Sequence, residues 1–316
     1  IKQSGADILR LWVAAQDYQE DLRMSPEILS QLAEVYRKIR NTCRFLLINQ
    51  FDFDPTVHRV PYAQLTELDR WALMRLFHLI RKVRESYEDF DFRQIYHEID
   101  YFCAVYMSAI YLDILKDRLY TFHKESPLRR SSQTVLFDVL VALTKVMAPI
   151  LSFTAEEIWR MLPESARTSP EQPSVHLAAF PEPDPRWADA ELAERWEKLL
   201  HVRTVVQGAL EMQRREKAIG SSLEAKVVLT ADPARWGFLG QYEEFLPTLF
   251  IVSQVTVRWE KEVSLEGHLL SDTSGFAVDV AKADGLKCER CWNYRPAVGS
   301  FPEHPTLCDR CVEAIR

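Results

Sequence analysis

The chain has 316 residues, with 39 Lys plus Arg against 46 Asp plus Glu, a formal net charge of −7, and only 9 glycines. No glycine stands between Gly5 and Gly208; P-loops and dinucleotide fingerprints are built on glycine backbone, so the first two thirds hold neither. The longest uncharged run, Phe245 to Val257, has 13 residues and contains Pro247, short of the roughly 18 a membrane span needs.

The chain starts at Ile1 without Met or an apolar signal segment and reads as a fragment or processed product. Ser25-Pro26-Glu27 supplies a helix start: N-cap, first-turn proline and early acid. Ile28, Leu32, Val35, Tyr36, Ile39, Cys43 and Leu46 then recur at helical steps. Thr66 with Asp69 opens a second helix carrying Trp71, Met74, Phe77 and Ile80. Phe92 to Tyr120 gives a third, long pattern. A fourth runs from about Ser132 to the interruption at Pro149, and Thr154 with Glu157 restarts it as a short helix ending near Pro163. Four long amphipathic helices with modest connections predict a bundle.

Six prolines between 163 and 185 mark a linker, and Trp187 to Lys217 resumes a helical pattern. Beyond Gly220 the segments 224–230, 250–259 and 276–280 read as strands of a small α/β unit. The predicted fold class is mainly α: a helical bundle, a small α/β subdomain and a cysteine-rich tail.

That tail carries the strongest motif. Cys288-Glu-Arg-Cys291 and Cys308-Asp-Arg-Cys311 are two knuckles sixteen residues apart, a spacing that suits one tetrahedral zinc better than a disulfide framework. Four thiolates leave no open position, so the metal is expected to be structural. His304 is left outside the ligand set. Trp292, Tyr294 and Phe301 read as the tail's main apolar residues, too few for a core without metal.

Arg37, Arg40 and Arg44 fall on one face of the first long helix, with Lys38 beside them. Further basic clusters are Arg81, Lys82 and Arg84; Lys124, Arg129 and Arg130; and Arg214, Arg215 and Lys217. Acids concentrate elsewhere, with eight acidic against four basic residues over 164–200, so a polyanion has local patches to bind. Catalytic constellations are poor: His58, His78, His97 and His201 lie apart from any nucleophile pattern, and Asp113 with Asp117 reads as helical ion pairing with Lys116 and Arg118.

In order, the strings Gly5-Ala-Asp-Ile-Leu-Arg-Leu-Trp12, Asp17-Tyr18 through Ser25, Tyr36-Arg-Lys-Ile-Arg-Asn-Thr42 and Arg44-Phe-Leu-Leu47 form a signature. It continues with Tyr111-Leu-Asp113, Lys116-Asp-Arg-Leu-Tyr120, Arg129-Arg-Ser131, Gln133-Thr-Val-Leu136, Ala148-Pro-Ile150, Phe153-Thr-Ala-Glu-Glu157 and Trp159. Together they resemble the bacterial type of isoleucyl-tRNA synthetase, and the cysteine tail resembles the zinc finger that family shares with formamidopyrimidine-type DNA glycosylases. The resemblance implies that residues 1–23 link to a catalytic domain, 24–164 form the anticodon-binding bundle, 165–185 a linker, 186–283 an α/β subdomain and 284–316 the zinc finger. The family's His-x-Gly-His and Lys-Met-Ser-Lys-Ser strings are missing here. The chain is therefore expected to begin past the catalytic domain, where the family uses ATP, and not to aminoacylate alone.

The resemblance also implies a cytoplasmic, monomeric partner of isoleucine tRNA, with no membrane or DNA involved. On it, RNA contacts are assigned to Arg37, Arg40 and Arg44 and, on the finger, to Arg290, Trp292 and Arg295; Trp292 is equally suited to covering the zinc knuckle. Two other readings stay open. A zinc-finger repair protein of the glycosylase kind would need an N-terminal proline where Ile1 stands and has no place for the helices. A synthetase-derived helical interaction module would keep the fold without RNA binding. Valine and leucine enzymes are the nearest confusions among synthetases.

Overall fold

A computed structural model describes residues 5–17, 20–22, 24–163, 173–261, 263, 268–272 and 275–316. Parts of the expected 1–23 segment, Tyr18 among them, and residues 164–172 around the expected start of the linker lie outside the described residues. Two compact units emerge: residues 1–119 with 124–193, and residues 120–123 with 194–316. Residues 5–17 pack as a helix within the first unit, and the expected 165–185 linker is divided between undescribed residues and short turns of that same unit.

The first unit is a helical bundle. Helix α1 (Ala6–Ala15) precedes α2 (Pro26–Ile48), where Ser25 caps by accepting from the Ile28 N–H at 3.3 Å. Helix α3 (Glu67–Glu88) follows the Thr66 cap. The long pattern after it holds α4 (Phe92–Tyr101) and α5 (Leu112–Thr121), joined without a break by ten residues, Phe102–Tyr111, wound as a π-helix. There the Leu112 N–H reaches back five residues to the Met107 carbonyl. Cys103, Met107 and Tyr111, all fully buried, recur every fourth residue, which a helix wound i→i+5 keeps on one face better than an α-helix does. Helix α6 (Pro127–Met147) starts five residues before the expected Ser132, with Pro127 in its first turn.

Helix α7 (Ser152–Met161) starts two residues before the expected Thr154 and is capped from outside. The Asp7 carboxylate accepts from the Phe153 and Thr154 N–H groups at 3.2 and 2.7 Å and from the Thr154 hydroxyl at 2.6 Å. An acid at a helix N-terminus satisfies the orphan donors and opposes the dipole.

Two buried polar networks lock the bundle. Asp69, fully buried, accepts from Tyr111 Oη (2.6 Å), Ser131 Oγ (2.6 Å), Ser132 Oγ (3.2 Å) and Arg118 Nη1 (3.3 Å). Arg118 therefore turns inward to Asp69, while Lys116 pairs with Asp113 at 2.7 Å as the helical reading expects.

In the second network Asp52 takes a two-pronged grip from Arg129, at 2.6 and 2.9 Å, with Arg130 and Gln133 beside it. Arg129 and Arg130, expected within a basic patch, are 5% and 7% exposed and hold the loop after α2 instead. Burial pushes the Asp52 carboxyl up, but the hydrogen bonds from Arg129 and Gln133 and the two guanidinium charges outweigh it and hold it below the ordinary carboxylate value. A depressed carboxyl stabilises the fold above its unfolded pKa of about 4. In urea unfolding, Asp52→Asn should therefore cost about 2 kcal/mol at pH 7, and the difference from the parent should shrink as the pH falls below 4. A difference as large at pH 2.5 as at pH 7 would refute the ion-pair account.

The second unit, beyond residues 120–123, begins in α8 (Ala190–Arg215), which packs on a four-stranded sheet in the order β2-β1-β4-β3. Strands β1 (Ala225–Ala231) and β2 (Gln254–Trp259) run parallel, while β4 (Phe276–Lys282) is antiparallel to both β1 and β3 (Leu270–Asp272). Trp196 meets Phe245, and His201 sets its edge on Phe276. The structure adds β3 and the helices α9 (Pro233–Gly240) and α10 (Leu246–Phe250) to the expected elements. Residues 250–253 serve as the end of α10 and a turn with Ile251 at φ 58°, so the expected strand begins only at Gln254.

The tail forms a short hairpin, β5 (Leu286–Lys287) with β6 (Tyr294–Arg295), and a closing helix, α11 (Asp309–Ile315). Gly285, at φ 91°, lies so close to the Arg295 backbone that a Cβ would sit 2.4 Å from its carbonyl carbon, so no other residue fits. No helix of the described residues is long and apolar enough to cross a membrane.

Candidate nucleic-acid interface and metal centre

The two knuckles bring four sulfurs together. The Sγ atoms of Cys288, Cys291, Cys308 and Cys311 all lie within 4.8 Å of one another and all four residues are buried. Cys291 and Cys308 approach to 3.7 Å, the edge length of a tetrahedron with Zn–S bonds near 2.3 Å, which is about 3.8 Å. Every cysteine is free, so the disulfide alternative falls away among the described residues.

Backbone groups form the knuckles as this chemistry requires: Trp292 N–H donates to the Cys288 carbonyl at 2.9 Å, and Cys308 N–H points at Cys288 Sγ at 3.4 Å. The hydrogen bond from Cys311 holds the Cys291 thiol well below its ordinary value, against the pull of burial. Arg290 aims Nη1 at Cys311 Sγ (3.7 Å) and also donates to the Thr121 carbonyl. Arg310 lies 4.9 Å over the Phe122 ring. Two guanidiniums thus offset the charge of a tetrathiolate centre. The apolar core of the finger is Val298, Leu307 and Val312 rather than the aromatic residues singled out from sequence.

Trp292 is 60% exposed. Its backbone stands at φ 65°, a left-handed conformation costing a non-glycine residue on the order of 1 kcal/mol. Lys287 Nζ sits 5.7 Å from its ring centre. Arg295 reaches Asp309 at 3.6 Å and keeps a buried Nε without a hydrogen-bond partner. Arg290, expected among the RNA contacts, faces inward and belongs to the frame of the finger.

The α2 arginines remain on the surface. Arg37 pairs with Glu34 one turn back, Arg40 reaches Glu157 of α7 at 3.3 Å with both side chains about half exposed, and Arg44 makes no ion pair or hydrogen bond among the described residues. Exposed pairs of this kind contribute little and open readily to an anionic partner. In the other basic clusters Arg84 pairs with Glu182 (2.9 Å), and Arg214 and Arg215 with Glu211 (2.9 and 3.7 Å), pairs about as exposed as those of α2. The histidines expected to be satisfied are so at His58, whose Nδ1 accepts from the Asp54 N–H at 3.0 Å.

Residues 69–229, just over half of the chain, match the family model described as the anticodon-binding domain of tRNA ligase, and residues 285–314 match the zinc finger found in FPG and IleRS. The chain belongs to the anticodon-binding domain family of tRNA ligases. Curated relatives that match the whole chain include isoleucine–tRNA ligases. It is 50% identical over 316 residues to that of Geobacter sulfurreducens and 49% over 316 to that of Syntrophotalea carbinolica, in each case all of this chain and 33% of the relative. The Caldanaerobacter subterraneus subsp. tengcongensis enzyme is 45% identical over 315 residues, all of this chain and 34% of the relative. The chain thus spans about a third of the length of the relatives it matches. A solved LeuRS complex with tRNA and LeuAMS from Agrobacterium radiobacter aligns with TM-score 0.42 and 13% identity over 73% of this chain and 22% of that one, too loosely to carry an argument. The finger model alone is shared with FPG; the bundle match and the full-chain relatives separate this protein from the glycosylase reading.

Proposed function

We propose that the chain is the tRNA-recognition part of an isoleucine–tRNA ligase acting in the cytoplasm as a monomer. It would bind the anticodon region of isoleucine tRNA while ATP and isoleucine chemistry resides in the rest of the parent enzyme. The observation that carries this reading is the exposed guanidinium row Arg37, Arg40 and Arg44 on α2 of an anticodon-binding bundle. Phosphates fix the register of an RNA and unstacked loop bases supply its identity. Trp292 and Arg295 offer a second contact on the finger. One zinc ion held by Cys288, Cys291, Cys308 and Cys311 is structural and fits the sulfur spacing.

Filter binding of isoleucine tRNA across a salt series tests the reading. Replacing Arg40 and Arg44 together by glutamate should weaken binding at least tenfold and lower the salt slope by about 1.4 to 1.8, since each lost phosphate contact removes roughly 0.7 to 0.9. Unchanged affinity and slope would refute it and favour a helical interaction module.

A further inference from the structure

Helix α3 carries a cationic face of its own. Arg75, His78 and Lys82 stand at i, i+3 and i+7, on one side of the helix, with Arg81 beside them. Among the described residues Arg75, His78 and Lys82 make no hydrogen bond or ion pair, and Arg81 reaches Glu85 only at 3.9 Å. Burial, and then the charges of Arg81 and Arg75, hold the His78 imidazole below its ordinary value, so the positive potential of this face is not compensated.

Aromatic rings hold these cations in place. The Arg75 guanidinium lies 4.8 Å from the centre of the Tyr106 ring and 5.6 Å from that of Trp71, with its buried Nε unpartnered. Arg81 lies 6.0 Å over Phe77, whose ring meets His78 edge-on. Tyr101, 51% exposed, packs at right angles to Tyr106 with ring centres 5.1 Å apart. A guanidinium positioned by rings rather than by a carboxylate keeps its outer N–H donors for an anion. Helix α3 packs on α4, the π-helical stretch and α6, while α2 packs on that same stretch and α6 from its own side. The two helices are therefore diagonal in the bundle, and a ligand seated on α2 leaves α3 open. Single-stranded RNA suits the α3 face in both respects, since its phosphates meet the cations and its bases stack on exposed rings. An acidic peptide would pair with the cations but would have no use for Tyr101.

We propose that the α3 face is a separate RNA-binding surface that takes a single strand other than the tRNA assigned to α2. The probe is a labelled oligouridylate of about twelve nucleotides, within the span such surfaces cover. The variants, in the whole chain, are His78→Glu with Lys82→Glu, and Tyr101→Ala. All three side chains are exposed, so melting temperatures should stay close to the parent's. The charge variant should bind the oligonucleotide at least tenfold more weakly and lower the salt slope by about 1.4, two contacts at roughly 0.7 each for a single strand. Tyr101→Ala should weaken binding at least fivefold, as loss of one stacked base does, at an unchanged slope. Saturating isoleucine tRNA should leave the oligonucleotide bound, and the Arg40 and Arg44 glutamates should leave its affinity unchanged. Displacement by tRNA, parent-like binding by the charge variant, or equally tight binding of an oligoglutamate of the same length would each overturn the proposal, the last in favour of an acidic protein partner. The α2 reading is tested with tRNA alone, so it stands or falls independently of these outcomes.

Discussion

Removing zinc with a strong chelator, or replacing Cys308 by serine, is expected to unfold residues 285–316. Structural zinc contributes on the order of 10 kcal/mol to small domains of this kind, and nothing else in the tail approaches that. Its buried apolar residues beyond the cysteines are Val298 and Val312, with Leu307 partly buried beside them, and its regular structure is one two-residue hairpin pair and one short helix. Hydrogen exchange reads the outcome directly. The amides of Cys288, Trp292 and Val312, each bonded to a backbone carbonyl in the finger, should exchange freely once the metal is gone. Protection that persists at zero metal content would mean the finger folds on its own packing, and the structural-zinc assignment would fail.

Asp69→Ala should be the most damaging single substitution in the bundle, at about 4 kcal/mol or more in urea unfolding. The cost comes from what stays behind. Arg118, 7% exposed, would be left without its carboxylate, and Tyr111 and Ser131 would lose their acceptor in a site closed to water. Breaking a buried pair from one side costs several times the net worth of the pair itself. Tyr111 is also held neutral by burial first and by the neighbouring Asp69 charge second, so the hydroxyl remains a donor at any physiological pH. A loss below 1 kcal/mol would show that the network is solvated and not a lock.

Much of this was legible from residue order. Caps such as Ser25 and Thr66 act through neighbours three residues away, so the starts of α2 and α3 could be placed without tertiary information. The paired Cys-x-x-Cys strings constrain four ligands to one point for the same reason. Arg129 and Arg130 show where local reading stops: their partner Asp52 lies 77 and 78 residues earlier, and charge alone does not say whether an arginine faces water or a carboxylate. The π-helical stretch was hidden because Phe102 to Tyr111 is apolar almost throughout and any winding satisfies its pattern. Helix α9 did carry a local signal, Asp232 as cap with Pro233 at the first position, and was missed only because strands dominate its surroundings.

Residues 120–123 give the chain an unusual connectivity. Four residues flanked by bundle sequence are counted with the second unit, where Arg290 and Arg310 hold Thr121 and Phe122. Sequence order and unit order are therefore interleaved, and no single scission separates the two bodies intact. A C-terminal piece starting at Glu194 would carry all four cysteines yet lack the carbonyl and the ring on which two of its arginines settle. A finger grafted without that tetrapeptide would keep its metal ligands but have to find new partners for Arg290 and Arg310.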